Sequence, residues 1–440
     1  MEISSDALVS LRNLVAGWTR ENVKVASLEE AEKVVERVSR ACAETVFEQS
    51  LVELGGRNTL QGSSIVCGCG GRARFVSYRR RWIKSICAEA QIERAYYHCS
   101  ECGHGHLPWD AAQGLNEKVY SPRLKALVSE VCSQLVYGNA TRLLERLGVV
   151  RLEESSAEAV LLEVGGRARQ SEQEKIQRYQ QMDEEMDEEM DEEIAAPESR
   201  SGRLYIGMDA AKAHIGGSWH DVKVASVYEA EAHADGQDRA VKIEYVAAQE
   251  VSDRFGWRVY AHARARGLER FAERVVIGDG AEFIWNQAAI HFPGATEVVD
   301  YWHAAEHIWS LSRALYGPEN PKGQRWAADR VRSLKADGPG PLLRALKRRK
   351  PTTAEAREAI RLEKGYFQKN RARMNYPTYL ARGMMIGSGP VEAGCKSVVG
   401  QRLKQTGMRW STRGADCMLA VRCCVLNEQQ RHLYEMARAA

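Results

Sequence analysis

The sequence predicts a multidomain α/β protein, and three observations lead to this prediction. The chain has 440 residues, which is enough for several domains with a core in each. Between residues 203 and 300, strand-like and helix-like runs alternate, as they do in a mixed sheet covered by helices on both faces. An acidic repeat and a breaker-rich segment separate this region from the first part of the chain.

Residues 1–60 are predicted to form a helical N-terminal region. Apolar and charged residues alternate at helical spacing from Leu28 to Phe47, which is typical of an amphipathic helix. A scaffold role is favoured over a direct binding role for this region.

Residues 61–110 contain two close pairs of cysteines on either side of a predicted β-hairpin. The strand-like segments 74–78 and 91–97 form the hairpin. Four thiolates in two such pairs favour a structural, tetrahedral zinc site of the zinc-ribbon type, although Cys-x-Cys is tighter than the usual Cys-x-x-Cys. The alternative is a small core of four reduced cysteines. The candidate zinc ligands are Cys67, Cys69, Cys99 and Cys102, with His98, His104 and His106 as replacements.

Residues 111–170 are predicted to be helical. One helix runs over 140–147 and stops at Gly148, and a second runs over 157–164. Two short helices around a tight connection resemble a helix-turn-helix, which would make this a DNA-binding region. The alternative is a plain helical hairpin, because the second helix carries Glu158 and Glu163 and few basic residues.

Residues 171–202 are predicted to form an acidic linker, with a frayed helix end or a functional acidic tail as the alternatives. Met-Asp-Glu-Glu occurs three times between residues 182 and 193, and like charges three and four apart oppose helix formation. The segment 197–202 then contains proline, serine and glycine, which favours a domain boundary there.

The order of elements after the linker is that of the ribonuclease H-like fold. Three strands joined as a meander are followed by helix, strand, helix and strand. A catalytic core of this type is predicted over 203–302 and 381–430, with a basic helical insertion over 303–380 and a helix over 391–404. The predicted strands are 203–208, 222–230, 241–246, 274–278 and 297–299, and the predicted helices are 255–268 and 281–291.

Charge is distributed unevenly along the chain. Residues 183–193 contain nine acids, and the other 62 basic and 50 acidic residues give the rest of the chain a charge of +12. A basic body favours a polyanionic partner such as nucleic acid. The first residues do not resemble a secretory signal, and no run of about 18 apolar residues would span a membrane. We therefore expect a protein of the cytoplasm or nucleoid that does not contact membranes.

Three carboxylates stand in distinctive settings. Asp209 and Asp279 close apolar strand-like runs that we place side by side, and Glu392 follows a Gly-Ser-Gly turn at the start of a helix. Such acids can hold two Mg²⁺ or Mn²⁺ ions, which together can cut and rejoin a phosphodiester. Each aspartate taken singly is also a common turn or capping residue.

Several segments of the chain closely resemble the Kra-type bacterial insertion-sequence transposases, which are distant relatives of the Mutator class. The resemblance covers roughly residues 65–425 and includes the segments 278–285, 298–307, 386–396 and 400–410. It implies a DDE transposase with a ribonuclease H-like core and a helical insertion before the glutamate. Asp209, Asp279 and Glu392 fall where the triad of the family sits. The departures from the family pattern are Ala-Ala-Lys after Asp209, Pro390 within the turn motif, and the acidic repeat.

Asp300, His303 and His307 form a second group on one predicted helix. Positions 303 and 307 share a helix face, and His303 resembles the histidine that the Mutator class has near its active site. The alternative is that Asp300 caps the helix and that the histidines are interior residues.

Basic residues interleaved with aromatic ones are candidates for contact with DNA phosphates. We expect one or more of Trp285, Trp302 and Trp410 to stack on an unpaired base. The alternative for each basic cluster is a solvated surface. The predicted DNA-binding residues are Arg79, Arg80, Arg81, Lys396, Arg402, Lys404, Arg409 and Trp410.

The expected activity is hydrolysis at the ends of a transposon, followed by attack of the freed 3′-hydroxyl on target DNA. The partners would be double-stranded DNA at the transposon ends and at the target. At least a dimer is expected, because two DNA ends must be joined together. The alternatives are a metal-dependent nuclease that cleaves without joining and a transposase-derived DNA-binding regulator that does not catalyse.

Overall fold

A computed structural model describes residues 4–55, 60–115, 119–188, 200–233 and 236–438. The chain folds as two compact units. The first unit consists of residues 1–125, 142–152 and 438–440, and the second consists of residues 126–141 and 153–437.

The first unit combines helices with a four-stranded antiparallel sheet of order β1-β2-β3-β4. Its elements are α1 (Ser5–Asn22), α2 (Leu28–Glu53), β1 (Ser64–Val66), β2 (Arg72–Lys84), β3 (Glu89–Cys99), β4 (Gly105–His106) and α3 (Pro108–Ala112). The helix predicted from 28 to 47 and the hairpin strands predicted over 74–78 and 91–97 are confirmed within α2, β2 and β3. Leu51 of α2 packs with Ile83, Ile92 and Trp109 in a small core.

Helices α4 (Pro122–Gln134) and α5 (Tyr137–Arg146) follow, and then α6 (Glu154–Glu188). The stop predicted at Gly148 is confirmed, since α5 ends at Arg146 and this glycine, two residues later, has a left-handed φ of 66°.

The length predicted for the next helix is wrong. Helix α6 runs for 35 residues and covers the first part of the segment assigned to a linker, up to Glu188 in the acidic repeat. Val160, Val164, Ala168 and Ile176 lie on its buried face. Burial of that face by the rest of the second unit outweighs the weak repulsion between like charges. The remainder of the repeat and the predicted boundary before residue 200 lie outside the described residues.

The second unit contains a five-stranded mixed sheet of order β7-β6-β5-β8-β9. Strands β5, β6 and β7 form an antiparallel meander, and β8 and β9 run parallel to β5. The elements are β5 (Arg200–Ile215), β6 (Ser218–Ala232), β7 (Asp238–Ala248), α7 (Ser252–Ala265), β8 (Phe271–Gly278), α8 (Glu282–His291) and β9 (Thr296–Val299). Each strand and helix predicted between residues 203 and 299 has its counterpart in this series.

The predicted end of the first strand is wrong. Strand β5 continues past Asp209 to Ile215, because its pairing with β6 persists from Asp209–Val224 to Ile215–Ser218. Its parallel pairing with β8 stops at Gly207–Ile277. Asp209 therefore lies within a long hairpin strand, just beyond the point where the neighbouring strand ends.

Helices make up the rest of the second unit, including the predicted helical segment 303–380. They are α9 (Tyr301–Tyr316), α10 (Pro321–Asp337), α11 (Gly340–Arg348), α12 (Ala354–Lys369), α13 (Tyr376–Ala381), α14 (Gly389–Gly394), α15 (Gln401–Leu403), α16 (Thr412–Leu426) and α17 (Gln430–Arg438). A π-helical turn, Cys395–Gly400, joins α14 to α15. Phe367 and Tyr376 reach the same core as the central strands. Within the described part of the chain, no helix is both long and apolar enough to cross a membrane.

A buried network of charges joins α6, α7 and β7. The ring of His262 contacts Glu244 at 2.6 Å through Nδ1 and Glu172 at 3.1 Å through Nε2. Ionised carboxylates only accept hydrogen bonds, so both ring nitrogens donate and the imidazole is charged. Burial favours the neutral imidazole, but the two hydrogen bonds outweigh it and raise the pKa of His262. Burial alone would also raise the pKa of Glu244, but His262, Lys175 and Arg266 lower it from 4.5 to about 2.

We predict that Glu244→Gln weakens the dependence of the free energy of unfolding on pH at acid pH. The lowered pKa of Glu244 contributes stability that is fully present above about 4.5 and is lost as the pH falls towards about 2. The substitution should remove on the order of 3 kcal/mol of this pH dependence. Urea unfolding at a series of pH values would measure it. Glu174→Gln, an exposed site on the same helix α6, is the control, and equal slopes for the two variants would contradict the prediction.

We also predict that Ile206→Ala destabilises the second unit by about 2–5 kcal/mol, because Ile206 is fully buried in central strand β5. Ile290→Ala, at a side chain that is 61% exposed on α8, should change the free energy of unfolding by less than about 0.5 kcal/mol. Urea unfolding of both variants checks this pair. Equal losses would show that β5 is not the core strand.

Candidate active site and metal centre

The two predicted aspartates lie at corresponding heights on neighbouring parallel strands. The last residues that pair β5 with β8 are Gly207 and Ile277, and each aspartate lies two residues beyond its strand's last pair. The Oδ1 atom of Asp209 accepts a hydrogen bond from the Ala210 N–H at 2.6 Å. The charge of Asp279 acts on the carboxylate of Asp209. The predicted side-by-side placement of these two strands is confirmed.

Glycine at position 207 lets the helix that carries Glu392 approach the sheet. A Cβ atom at this position would lie 2.6 Å from Ser226 Oγ and 3.1 Å from the Cβ of Val391. A side chain there would therefore push α14 away from β5. The consequence is that Glu392, the next residue after Val391, is held beside the end of the β5–β8 pair.

Cys395 is a site residue that the sequence analysis did not single out. Its Sγ donates a hydrogen bond to Asp209 Oδ2 at 3.4 Å. Burial, together with the charges of Asp209 and Glu392, raises the pKa of this thiol, so it stays protonated. Cys395 thus links the turn after Glu392 to Asp209. Its spacing of three residues from Glu392, close to one helical turn, was the only signal in the sequence.

Burial and like charge both disfavour the ionised form of Asp209. Burial is the larger cause and the neighbouring Asp279 adds to it, so the pKa of Asp209 is raised. Hydrogen bonds from Ala210 N–H and Cys395 oppose this shift. A cation bound beside Asp209 would lower the free energy of its charged carboxylate.

Asp300 caps α9, which was one of the two roles considered for it. Its Oδ1 accepts from the His303 N–H at 2.6 Å, and its Oδ2 accepts from the Ser388 N–H. Ser388 Oγ also lies 3.4 Å from Glu392 Oε1. The buried Asp300 therefore fixes the Gly-Ser-Gly turn, and with it Glu392, to the start of α9.

His303 and His307 lie on one face of α9, as predicted, and their Nε2 atoms are 3.3 Å apart. Glu363 on α12 contacts His307 Nδ1 at 2.7 Å, and Tyr366 stacks on the His307 ring. Neither Glu363 nor Tyr366 was singled out from the sequence, because only the packing of α12 on α9 brings them to this place.

The four predicted cysteines come together in the first unit. Their sulfur atoms lie within 4.8 Å of one another, with 3.5 Å between Cys67 and Cys102 and 3.7 Å between Cys69 and Cys99. A tetrahedron with metal–sulfur bonds of about 2.3 Å has edges of about 3.8 Å, so the cluster fits a zinc ion. His106 is not needed as a ligand, and its Nε2 lies 3.2 Å from the Cys67 sulfur.

The carboxylate oxygens of Asp209, Asp279 and Glu392 do not lie as close to one another as the four cysteine sulfur atoms do. Among the residues that the structure describes, the cysteine cluster is the one group of three or more Cys, His, Asp or Glu side chains with ligand atoms within 4.8 Å of one another. The structure thus supports a zinc-type site and leaves the magnesium site as a prediction.

Three of the predicted DNA-binding residues are wrong as surface contacts. Arg81 forms a buried ion pair with Asp110 at 2.7 Å. Arg402 is fully buried, and Trp410 is buried beneath it with its ring centre 4.8 Å from the guanidinium. Of the tryptophans considered for base stacking, Trp302 is exposed, whereas Trp285 and Trp410 are buried. The exposed members of the basic set are Arg79, Arg80, Lys396, Lys404 and Arg409.

Arg402 is buried because its guanidinium donates a hydrogen bond at the C-terminal end of helix α4. Its Nε donates to the Cys132 carbonyl at 3.0 Å, and Arg422 donates to the Ser133 carbonyl. Both carbonyls belong to the last turn of α4, where they lack helical partners and carry the negative end of the helix dipole. The two guanidiniums satisfy these groups without a carboxylate.

No protein-family model matches the chain, and no curated protein sequence matches it. The resemblance to insertion-sequence transposases therefore rests on the segments quoted above.

We predict that Cys99→Ser lowers the zinc content of the purified chain by about one ion, because a closed structural site needs all four thiolates. Atomic absorption after dialysis measures the content. Cys87→Ser, at an exposed cysteine of the same unit, should keep its zinc. Zinc retained in full by Cys99→Ser would show that these cysteines do not form a metal site.

Proposed function

We propose that the chain is a DDE transposase, in which Asp209, Asp279 and Glu392 act together on DNA phosphodiesters. One observation carries the proposal. Two aspartates end up side by side beyond the last pair of β5 and β8, and the helix that carries Glu392 packs against the same strand.

The topology of the second unit supports a ribonuclease H-like assignment. An antiparallel meander is followed by helix, strand, helix and strand, which is the element order along the chain that we expect for this fold, and the strands lie in the order β7-β6-β5-β8-β9. Ligands of mixed and parallel sheets commonly bind beyond the carboxyl ends of the strands. Asp279 lies just beyond the carboxyl end of β8, and Asp209 lies beside it, past the last pair of β5 with β8.

The donor set suits hard divalent ions. Asp209, Asp279 and Glu392 would hold Mg²⁺ or Mn²⁺ through carboxylate oxygens. Two such ions, when bound, would activate the attacking oxygen and stabilise the leaving oxygen. The raised pKa of Asp209 supports this assignment, because a bound cation would offset both its burial and the charge of Asp279.

The other residues have simpler roles in this proposal. Trp302 is 63% exposed and its Cδ1 lies 3.2 Å from the place of a Cβ on Gly387, so its indole covers the turn before Glu392. It would stack on an unpaired base beside the carboxylates. Lys396, Lys404 and Arg409 would contact phosphates of double-stranded DNA. At least two copies of the chain would bring two transposon ends together.

A second candidate is a transposase-derived DNA-binding regulator that has no catalytic activity. The separation of the three carboxylates favours it, since their oxygens do not gather as the cysteine sulfurs do. A metal-dependent nuclease is the third candidate and would leave cleaved ends unjoined.

We predict that Asp209→Asn and Asp279→Asn each lower DNA cleavage and strand transfer by about 10³-fold or more while DNA binding stays within about 3-fold. The substrate is labelled duplex DNA from the two sides of the coding sequence, with Mg²⁺ and a target plasmid. Gel analysis of cleaved and joined products measures activity, and a mobility shift measures binding.

Asp221→Asn is the matched control, because Asp221 is an exposed aspartate on β6 that pairs with Lys212. It should keep the activity of the unchanged chain. Products that form equally well with Asp279→Asn would overturn the proposed roles. If the unchanged chain cleaves DNA without joining it, the nuclease is supported. If the unchanged chain binds DNA without cleaving it, the regulator is supported.

A further inference from the structure

A carboxylate and two imidazoles form a continuous row next to the candidate active site. Glu363 Oε2 lies 2.7 Å from His307 Nδ1, and His307 Nε2 lies 3.3 Å from His303 Nε2. Glu363 comes from α12 and both histidines come from α9. The three side chains are therefore assembled by tertiary packing, although two of them share a helix.

The chemistry of the row fixes where its protons lie. An ionised carboxylate only accepts hydrogen bonds, so His307 Nδ1 donates to Glu363. A neutral His307 then has an unprotonated Nε2, which accepts the hydrogen bond from His303 Nε2. The neutral His303 must in turn be the Nε2–H tautomer. Its Nδ1 is then the nitrogen with a free lone pair.

The packing around His307 holds the row in place. Tyr366 stacks on the His307 ring with 3.8 Å between centroids and 13° between planes. The hydroxyl of Tyr366 donates to the main-chain carbonyl of Asp279 at 2.9 Å. The Glu363 side chain is 14% exposed and that of His307 is 28% exposed. The row is thus linked through Tyr366 to the backbone of a proposed catalytic aspartate, and its Glu363 and His307 side chains are partly shielded from water.

The His303 end of the row lies close to the turn before Glu392, because Asp300 accepts hydrogen bonds from both the His303 N–H and the Ser388 N–H. When it is protonated, His303 lowers the pKa of Asp209, against the larger effect of burial. The main chain of His303 is itself fixed, because its N–H donates a hydrogen bond to Asp300 Oδ1 at 2.6 Å. The charged or titratable groups around the row are Asp209, Asp279, Asp300, Glu363 and Tyr366.

We propose that Glu363 and His307 are positioning residues that fix His303 in the Nε2–H tautomer, with Nδ1 available to accept a hydrogen bond from the oxygen nucleophile. This inference rests on the proposed function for its role in the reaction, whereas the tautomers themselves do not depend on it. A carboxylate that orients one histidine through another serves the same purpose as the outer groups that orient metal-bound or catalytic histidines.

The first test reads the tautomers directly. The full chain, labelled with ¹⁵N at histidine, is studied by long-range ¹H–¹⁵N NMR at about pH 8.5, about two pH units above the ordinary pKa of an imidazole. Spectra of His303→Asn and His307→Asn assign the two rings. We expect His307 as the Nδ1–H tautomer and His303 as the Nε2–H tautomer. The opposite tautomers, or equal mixtures, would overturn the inference.

The second test uses a pair of substitutions at one position. Glu363→Ala removes the acceptor, so His307 should lose its fixed tautomer and DNA cleavage should fall by about 10- to 100-fold. Glu363→Gln keeps an acceptor oxygen and should restore both the tautomer and most of the rate. Glu306→Ala, at an exposed acid directly before His307, is the control and should change neither. A rate loss that Gln fails to restore while the tautomers are unchanged would overturn the positioning role.

The outcomes separate this inference from the proposed function. If the unchanged chain shows the expected tautomers but cleaves no DNA with Mg²⁺, the proton arrangement stands and the transposase assignment fails. If the chain cleaves and joins DNA but Glu363→Ala is as active as the control, the assignment stands and the positioning role fails. Binding of added Zn²⁺ that shifts both Nε2 resonances would show a metal between the histidines and overturn the row.

Discussion

The parallel pairing of β5 with β8 is the interaction on which the candidate site depends. It ends at Gly207 and Ile277, and the two aspartates project just beyond that end. Glycine at 207 admits α14 against the same strand, which adds Glu392. Two hydrogen bonds, from Cys395 to Asp209 and from Ser388 to Asp300, then hold the residues on either side of α14 to β5 and to the start of α9. A shift in the register of this one pair would displace all three carboxylates together.

Burial separates the basic side chains that bind other parts of the protein from those that are free to contact DNA. Arg81 pairs with a buried aspartate, and Arg402 and Arg422 satisfy the last carbonyls of α4. These side chains hold the protein together and cannot also contact DNA. Lys404 and Arg409 lie close to Arg402 in sequence, yet they are exposed. A surface for DNA therefore has to be assigned side chain by side chain, since clusters of basic residues in the sequence mix both kinds.

Much of the fold was predictable because the patterns are local. Strand alternation and helical spacing located β5 to β9 and α7 to α9, and Gly148 marked the end of α5. The failures arose where a distant partner decided the outcome. Helix α6 extends because its apolar face is buried by the rest of the second unit. Strand β5 extends because β6 continues to pair with it after β8 has ended.

The sequence by itself determined the kinds of ligands and their spacing along the chain. Four cysteines flank a hairpin, two acids follow apolar strands, and two histidines lie one helical turn apart, because these features depend on neighbours within a few residues. Only the tertiary structure decided which side chains meet. Glu363 and Tyr366 reach His307, Cys395 reaches Asp209, and Trp410 is covered, because packing of distant segments sets contacts and solvent exposure.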